Sequence, residues 1–311
     1  MKILLTGASS FTGYWFAEAL AKAGHLVVAP LRGSLDGEDG GERYEHIKRL
    51  QKAKSVDLIA DCGFGTSRFL DLVGSQDFDI LCFHHAEVRD YRSADFDVAK
   101  ALAENTRSLR DVLKLMGPRG LKSVVLTGSF FEQDEGAGSP PLSAFSAYGL
   151  SKGLTAQVVQ HRCREFGVRY GKFVIPHPFG PFEQPRLGAY LARTWREGKT
   201  AEIKTPAYIR DNIHVDLLAA CYARFVGEVA VSTASQCKLN PSGYIEAQGA
   251  FVERMAREIS RRVGFECKVK LLTQTEFPEP MIRVNTDPAI RYAEGWDEVA
   301  AWDAYSKSFI G

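Results

Sequence analysis

Residues 146–153 read SAYGLSKG, with Tyr148 and Lys152 four apart. On a helix that spacing stacks the two side chains on one face. A phenol, with a pKa of about 10, is a poor acid–base group at neutral pH unless a cation lowers it. A lysine one turn away supplies such a cation, so Tyr148 is expected to shuttle a proton and Lys152 to tune it. Tyr and Lys at this spacing also recur by chance in many helices, and position is what gives the pair weight. Just upstream, SVVLTGS ends on Ser129, a hydroxyl able to hydrogen-bond the same substrate oxygen.

A second feature lies near the start of the chain. Residues 3–13 read ILLTGASSFTG: an apolar run stops at Thr6-Gly7, reaches another glycine at Gly13 and restarts with Tyr14, Trp15, Phe16 and Ala17 at helical spacing. Small residues let backbone N–H groups approach an anion, and the helix that follows points its partly positive N-terminus at it. The alternative is a tight strand-to-helix turn with no ligand.

The elements that must position these residues are readable as alternation. Short apolar runs (KILLTG, HLVVAPLRG, DLIADCG, DILCFHHA, SVVLTGS) are separated by helical patterns, among them Tyr14 to Ala23 and Val98 to Met116. Strands alternating with helices imply parallel pairing, and near-continuous hydrophobicity implies a sheet buried on both faces. The fold class is therefore α/β, a doubly wound parallel sheet whose ligands sit beyond the carboxyl ends of the strands. Those ends carry Thr6-Gly7, Arg32, Asp61-Cys62, His84-His85 and Thr127-Gly128-Ser129. Residues 176–206, richer in Pro and Gly, read as an excursion into another lobe. IRDNIHVDLLAACYARF reads as a helix docked on the sheet, and a further helix is expected over Glu253 to Val263. GSLDGEDGGER (33–43) is a polar, Gly-rich loop.

Composition narrows the partners. The chain has 311 residues with 39 Lys and Arg against 38 Asp and Glu, and it carries no long run of one sign. That balance argues against a nucleic-acid or anionic-membrane partner and for a small molecule. Six scattered cysteines form no C-x-x-C pair and read as buried thiols in a reducing compartment, and adjacent His84 and His85 on a strand point to opposite faces, so no metal is expected. Met1 opens almost directly on the first strand, without room for a signal peptide, and no stretch is apolar enough to span a bilayer; a cytoplasmic protein is expected.

Taken in order, these motifs resemble the extended short-chain dehydrogenase/reductases, in particular the NAD(P)-dependent nucleotide-sugar epimerases, dehydratases and reductases. The resemblance spans nearly the whole chain. The family's T-G-x-x-G-x-x-G is matched by residues 6–13, its Y-x-x-x-K by Tyr148 to Lys152 and its catalytic Ser/Thr by Ser129. Its helix Asn is matched by Asn105, its G-P turn by Gly180-Pro181, its R-D-x-I-H-V signature by Arg210 onward and a late G-W by Gly295-Trp296. The resemblance implies a Rossmann domain of residues 1–175 and 209–234 with a smaller α/β substrate lobe of 176–208 and 235–311. Ser129, Tyr148 and Lys152 would be catalytic. The cofactor would be held by Gly7, Ser10, Phe11, Thr12, Gly13, Arg32, Asp61, Cys62, His84, Ala86, Asn105, Thr127 and Pro176, together with Tyr148 and Lys152. The substrate would meet Ser129, His177 and Arg210, and two helices would pair in a homodimer.

Several positions leave alternatives. The family's middle glycine is Ser10 here, whose hydroxyl would turn onto phosphate or whose presence would shift the cofactor slightly. The second strand ends on Arg32 with no carboxylate to repel a 2′-phosphate, which favours NADP over NAD; otherwise Arg32 is a solvated cation. Asp61 is an adenine contact or a turn cap. Arg210 grips a diphosphate or pairs with Asp211 or another acid, and His177 meets substrate or belongs to the core. Arg283 is a loose match to the family's late nucleotide-binding arginine. Ser129 is followed by Phe130-Phe131 where dehydratases of the family carry an acidic pair, and Glu132 lies too far along to replace it. Reduction at carbon 4 of a keto sugar is thus favoured over NAD-retaining 4-epimerisation, with a catalytically silent dinucleotide sensor or an enzyme for a non-sugar alcohol as the remaining readings.

Overall fold

The computed structural model describes residues 1–36, 41–93 and 95–310; positions 37–40 of the Gly-rich loop lie outside the described residues. The first half alternates as expected: β1 (Lys2–Leu5), α1 (Phe11–Lys22), β2 (Leu26–Pro30), α2 (Glu42–Leu50), β3 (Val56–Ile59), α3 (Ser67–Ser75) and β4 (Ile80–Phe83). Then come α4 (Val98–Asn105), α5 (Leu109–Met116), β5 (Ser123–Ser129), a short β6 (Ala137–Gly138), α6 (Ala147–Glu165) and β7 (Arg169–Ile175). The rest comprises β8 (His177–Phe179), α7 (Leu187–Arg196), β9 (Ala201–Ile203), β10 (Ile209–His214), α8 (Val215–Val231), β11 (Gln236–Leu239), β12 (Pro241–Ser242) and β13 (Tyr244–Ala247). It ends with α9 (Gln248–Val263), β14 (Val269–Leu271), β15 (Arg283–Val284), β16 (Asp287–Pro288) and α10 (Glu298–Ser306).

Seven strands form one parallel sheet in the order β11-β7-β5-β4-β1-β2-β3. The apolar runs explain it: β4 and β5 are buried along their whole length, so both faces need a helical layer. One layer packs α1 and α8 on the sheet, with Phe16 stacked on Tyr222 at 3.9 Å and edge-on to Phe173. The other packs α3, α5 and α6 through Phe69, Leu113 and Val159. A second core, built on Phe179, Trp195, Phe251, Trp302 and Tyr305, joins α7, α9 and α10. Chain reversal falls between β1 and β4, which places their carboxyl ends beside the glycine turn.

The structure departs from the expected elements in four places. The helix read over Val98 to Met116 is two helices, broken where Ser108 takes a left-handed φ of 51° and the Arg107 carbonyl seats against Gly65. The stretch IRDNIH is strand β10, antiparallel to β13 and parallel to β8, before α8 begins at Val215. Helix α9 starts at Gln248 instead of Glu253. Strand β11, beyond the expected return at residue 234, forms the edge of the large sheet beside β7. Among the described residues no helix is long and apolar enough to cross a membrane, and the six cysteines are free thiols, five of them buried.

Candidate active site

Strand β5 delivers Ser129 at its carboxyl end, and α6 crosses that end with Tyr148 and Lys152 in its first two turns. The approach is close at Gly149, the residue after Tyr148. A Cβ on Gly149 would overlap the Phe131 carbonyl oxygen, and the Gly153 position faces the Glu132 side chain at 3.8 Å. Ser146 caps the helix by accepting the Gly149 N–H. Lys152 is buried and donates Nζ to the Thr127 carbonyl at 2.6 Å. Ser129 donates its N–H to Glu132 Oε1 at 2.7 Å, and its Oγ accepts from Phe131 N at 3.2 Å.

The electrostatics differ from the expectation that Lys152 lowers the Tyr148 phenol. Burial lifts Tyr148 above the ordinary phenol range, the Glu132 charge adds to the rise, and the Arg186 cation opposes it. Burial also pulls the Lys152 ammonium down to about 8; Glu132 holds it up and Lys172 pushes it further down. In this structure the ammonium faces the Thr127 carbonyl, and the phenol is covered by Tyr91 and Phe96, edge-on at 5.4 and 6.0 Å.

The glycine turn fits a dinucleotide pyrophosphate. Gly7 has φ +75° and lies against the His85 backbone, and a Cβ on Gly13 would overlap the Gly7 carbonyl. Helix α1 begins at Phe11, so the Phe11 and Thr12 amides are first-turn donors without helical acceptors. Ser10 is extended at φ −77°, and its hydroxyl serves the turn instead of facing outward: it donates to Gly7 O, accepts from Gly13 N and lies 3.1 Å from His84 Nε2. A serine in the middle position thus closes one of the amides that a glycine would leave open.

The other expected cofactor residues divide into exposed and saturated ones. Arg32 is exposed, and the structure corrects the absence of a carboxylate beside it, because Glu87 Oε2 stands 3.7 Å from its Nη1. Arg89 holds Glu87 well below the ordinary carboxylate range. Asp61 takes a left-handed φ of 51° with an exposed side chain, while Cys62 is buried. His84 lies under the turn against Thr12 and Phe16. His85 points the other way, bonded to Thr6 Oγ1 and Asn105 O and stacked on Phe64. Burial lowers both histidines to about 3, so they are neutral. Asn105 is buried with its amide engaged by Glu87 N and Thr155 Oγ1, so it braces the loop after β4. Thr127 and Pro176 are buried, and Ala86 is half-buried at the strand end.

On the substrate side, His177 is half-buried against Phe130 and Phe131, lowered to about 3 by burial, then by Arg210 and Arg186. Arg210, expected to face a diphosphate, is buried and turned onto protein: it donates to three carbonyls, pairs with Glu279 at 2.9 Å and lies over Tyr208. Arg283 is likewise buried, with donors to the carbonyls of Phe130, Glu132, Glu135 and Ser143. The site residue missing from the sequence reading is Arg186. It is exposed, bonded to Gln184, paired with no carboxylate among the described residues, and lies over Tyr91, which itself covers Tyr148. Two residues of α2 were also missed: Arg43 donates to Ser9 Oγ at 2.9 Å, and His46 lies between the carbonyls of Ser9 and Phe182, 3.0 Å from each. In ERYEHIKRL they look like a solvent face, and no local signal says that the helix folds over the glycine turn.

Comparison with known proteins agrees with this fold. The family model described as NAD dependent epimerase/dehydratase family matches residues 3–240. Among solved structures, UDP-glucuronic acid 4-epimerase from Bacillus cereus, in complex with UDP-glucuronic acid and NAD, is 18% identical, with a TM-score of 0.72 over 99% of each chain. The UDP-Glc/GlcNAc 4-epimerase from Campylobacter jejuni is 16% identical, with a TM-score of 0.73 over 99% of this chain and 98% of that one. The dTDP-glucose 4,6-dehydratase from Streptomyces venezuelae is 14% identical, with a TM-score of 0.73 over 99% and 97%. At these identities the likeness is one of fold. No curated protein sequence matches the chain.

Proposed function

The chain belongs to the NAD dependent epimerase/dehydratase family, and from that premise we propose that it moves a hydride to or from a sugar carbon of a nucleotide-linked hexose, carbon 4 in the finer reading. The observation that carries this is the corner where α6, seated on Phe131 at Gly149, brings Tyr148 and Lys152 to the turn that starts at Ser129. A bound nicotinamide, held by the glycine turn, Arg32 and the strand ends, would supply the hydride. Ser129 polarises the substrate oxygen through its hydroxyl, and Tyr148 exchanges a proton with that oxygen. Lys152 keeps a positive charge beside the developing negative one.

Arg32 and Arg43, close enough for their charges to repel, support NADP by offering two cations to a 2′-phosphate. Glu87 beside Arg32 supports the second reading, an epimerase that retains NAD, because a carboxylate there suits a ribose diol. The neighbours solved with NAD lend that reading further support. With Arg210 and Arg283 committed to the protein, Arg186 and His177 are the groups proposed to meet the substrate's anion and its hydroxyls.

Purified protein separates the two readings. A reductase consumes NADPH in proportion to a 4-keto nucleotide sugar; an epimerase carries bound NAD and interconverts sugars without net oxidation. Absence of both activities on uridine- and thymidine-linked hexoses would overturn the proposal.

A further inference from the structure

Beneath Ser129 lies a group of buried charges that the reaction above does not use. Glu132 is fully buried; its Oε1 accepts the Ser129 N–H at 2.7 Å and its Oε2 accepts Lys172 Nζ at 2.6 Å. Lys172 also donates to Glu135 at 2.6 Å, and Glu135 pairs with Lys238 at 2.6 Å. Arg283 collects the carbonyls of Phe130, Glu132 and Glu135. The turn after β5 is therefore tied at its start by a carboxylate and along its length by a guanidinium.

Burying an ion pair is unfavourable relative to apolar packing. A neutral amide could accept the Ser129 N–H equally well, so that hydrogen bond gives no reason for a charge at position 132. The charge has a different neighbour to act on. Lys152, on the helix whose Gly153 faces the Glu132 side chain at 3.8 Å, is buried with a single carbonyl acceptor. The charged and titratable groups that act on it are Glu132 from the turn, Lys172 from β7, and His84 and His85, both neutral, from the end of β4. Glu132 is the anion in that set.

We propose that Glu132 is a positioning residue of the catalytic centre: it fixes the turn that carries the Ser129 hydroxyl and provides the counter-charge that keeps Lys152 an ammonium, with Lys172 holding it in place. The inference rests on the catalytic assignment of Ser129, Tyr148 and Lys152. Lys172 opposes Lys152 while anchoring Glu132, so removing either partner moves Lys152 in opposite directions.

The test is a pair of variants with two readouts. Glu132→Gln keeps the acceptor for Ser129 and removes the charge. It is expected to lower kcat about tenfold or more, leave KM within about twofold and shift the alkaline limb of kcat down by on the order of one pH unit. Lys172→Met is expected to shift that limb upward. The second readout is the pH dependence of Lys152 labelling by an amine acylating reagent, read by mass spectrometry, which needs no turnover and should shift the same two ways. If Glu132→Gln does not fold, the double variant Glu132→Gln with Lys172→Met, which leaves no unpaired charge of that pair, is compared with Lys172→Met: a lower Lys152 titration in the double variant supports the proposal and an equal one overturns it. Unshifted limbs and labelling in both variants overturn the counter-charge. Opposite labelling shifts in a protein that turns over no nucleotide sugar would uphold the counter-charge and instead sink the functional reading.

Discussion

Two regions meet at the mouth of the sheet and are built differently. At the corner of β5 and α6, charges are buried and tied to named partners: Lys152 to Thr127 O, Glu132 to Ser129 N and Lys172, Arg283 to four carbonyls. At the rim, formed by residues 86–93, 95–97 and 180–187, Arg186 and Arg92 lie over Tyr91 with guanidinium groups exposed to solvent. The corner sits on a strand and a helix that cannot shift without breaking the core; the rim sits on loops. In the proposed reaction the corner would carry the chemistry, which demands fixed geometry, and the rim would carry recognition of the substrate, which tolerates variation.

That contrast can be broken by substitution. The largest effect is expected at the corner: Lys152→Met should lower turnover more than about 100-fold while leaving secondary structure intact, measured as kcat beside circular dichroism. Gly149→Ala puts a methyl group into the Phe131 carbonyl and should cost about 1–3 kcal/mol, seen as a lower thermal midpoint together with lost activity. At the rim, Arg186→Gln should raise KM for a nucleotide sugar about tenfold, or ~1.4 kcal/mol, with the thermal midpoint unchanged. Arg210→Gln, which strands Glu279 and three carbonyls, should show the reverse pattern. The smallest effect concerns Glu183, bonded to Tyr305 at 2.5 Å and raised by burial from 4.5 to about 7. Because the folded state then binds its proton more tightly than the unfolded chain, stability should fall as pH rises from about 4.5 to about 7 and level off above. Glu183→Gln should flatten that slope, by about 2–4 °C in thermal midpoint near pH 8.

The corner was far more legible in sequence than the rim. Strand β5 and the Tyr148–Lys152 spacing are local patterns, and burial on both faces writes the strand as an unbroken apolar run. For Arg210 the sequence left a diphosphate and an acid both open, and for Arg283 it gave only a loose match, because their partners are distant in the chain: Glu279 lies 69 residues from Arg210, and Phe130 lies 153 from Arg283. No pattern within a window of either arginine announces a buried acceptor. The same holds for the break at Ser108, set by Arg107 docking on Gly65, whereas the Ser10 hydroxyl bonds within its own turn, to Gly7 and Gly13, and meets His84 only as a further neighbour.

The account stands on Tyr148 as the proton carrier of hydride transfer, and single-turnover oxidation of a bound reduced nicotinamide by a 4-keto nucleotide sugar tests it directly. Wild-type protein should oxidise the nicotinamide in one phase, and Tyr148→Phe should slow that phase at least about 100-fold with cofactor affinity unchanged. An equal rate in the two proteins would contradict the assignment of this corner as the catalytic centre.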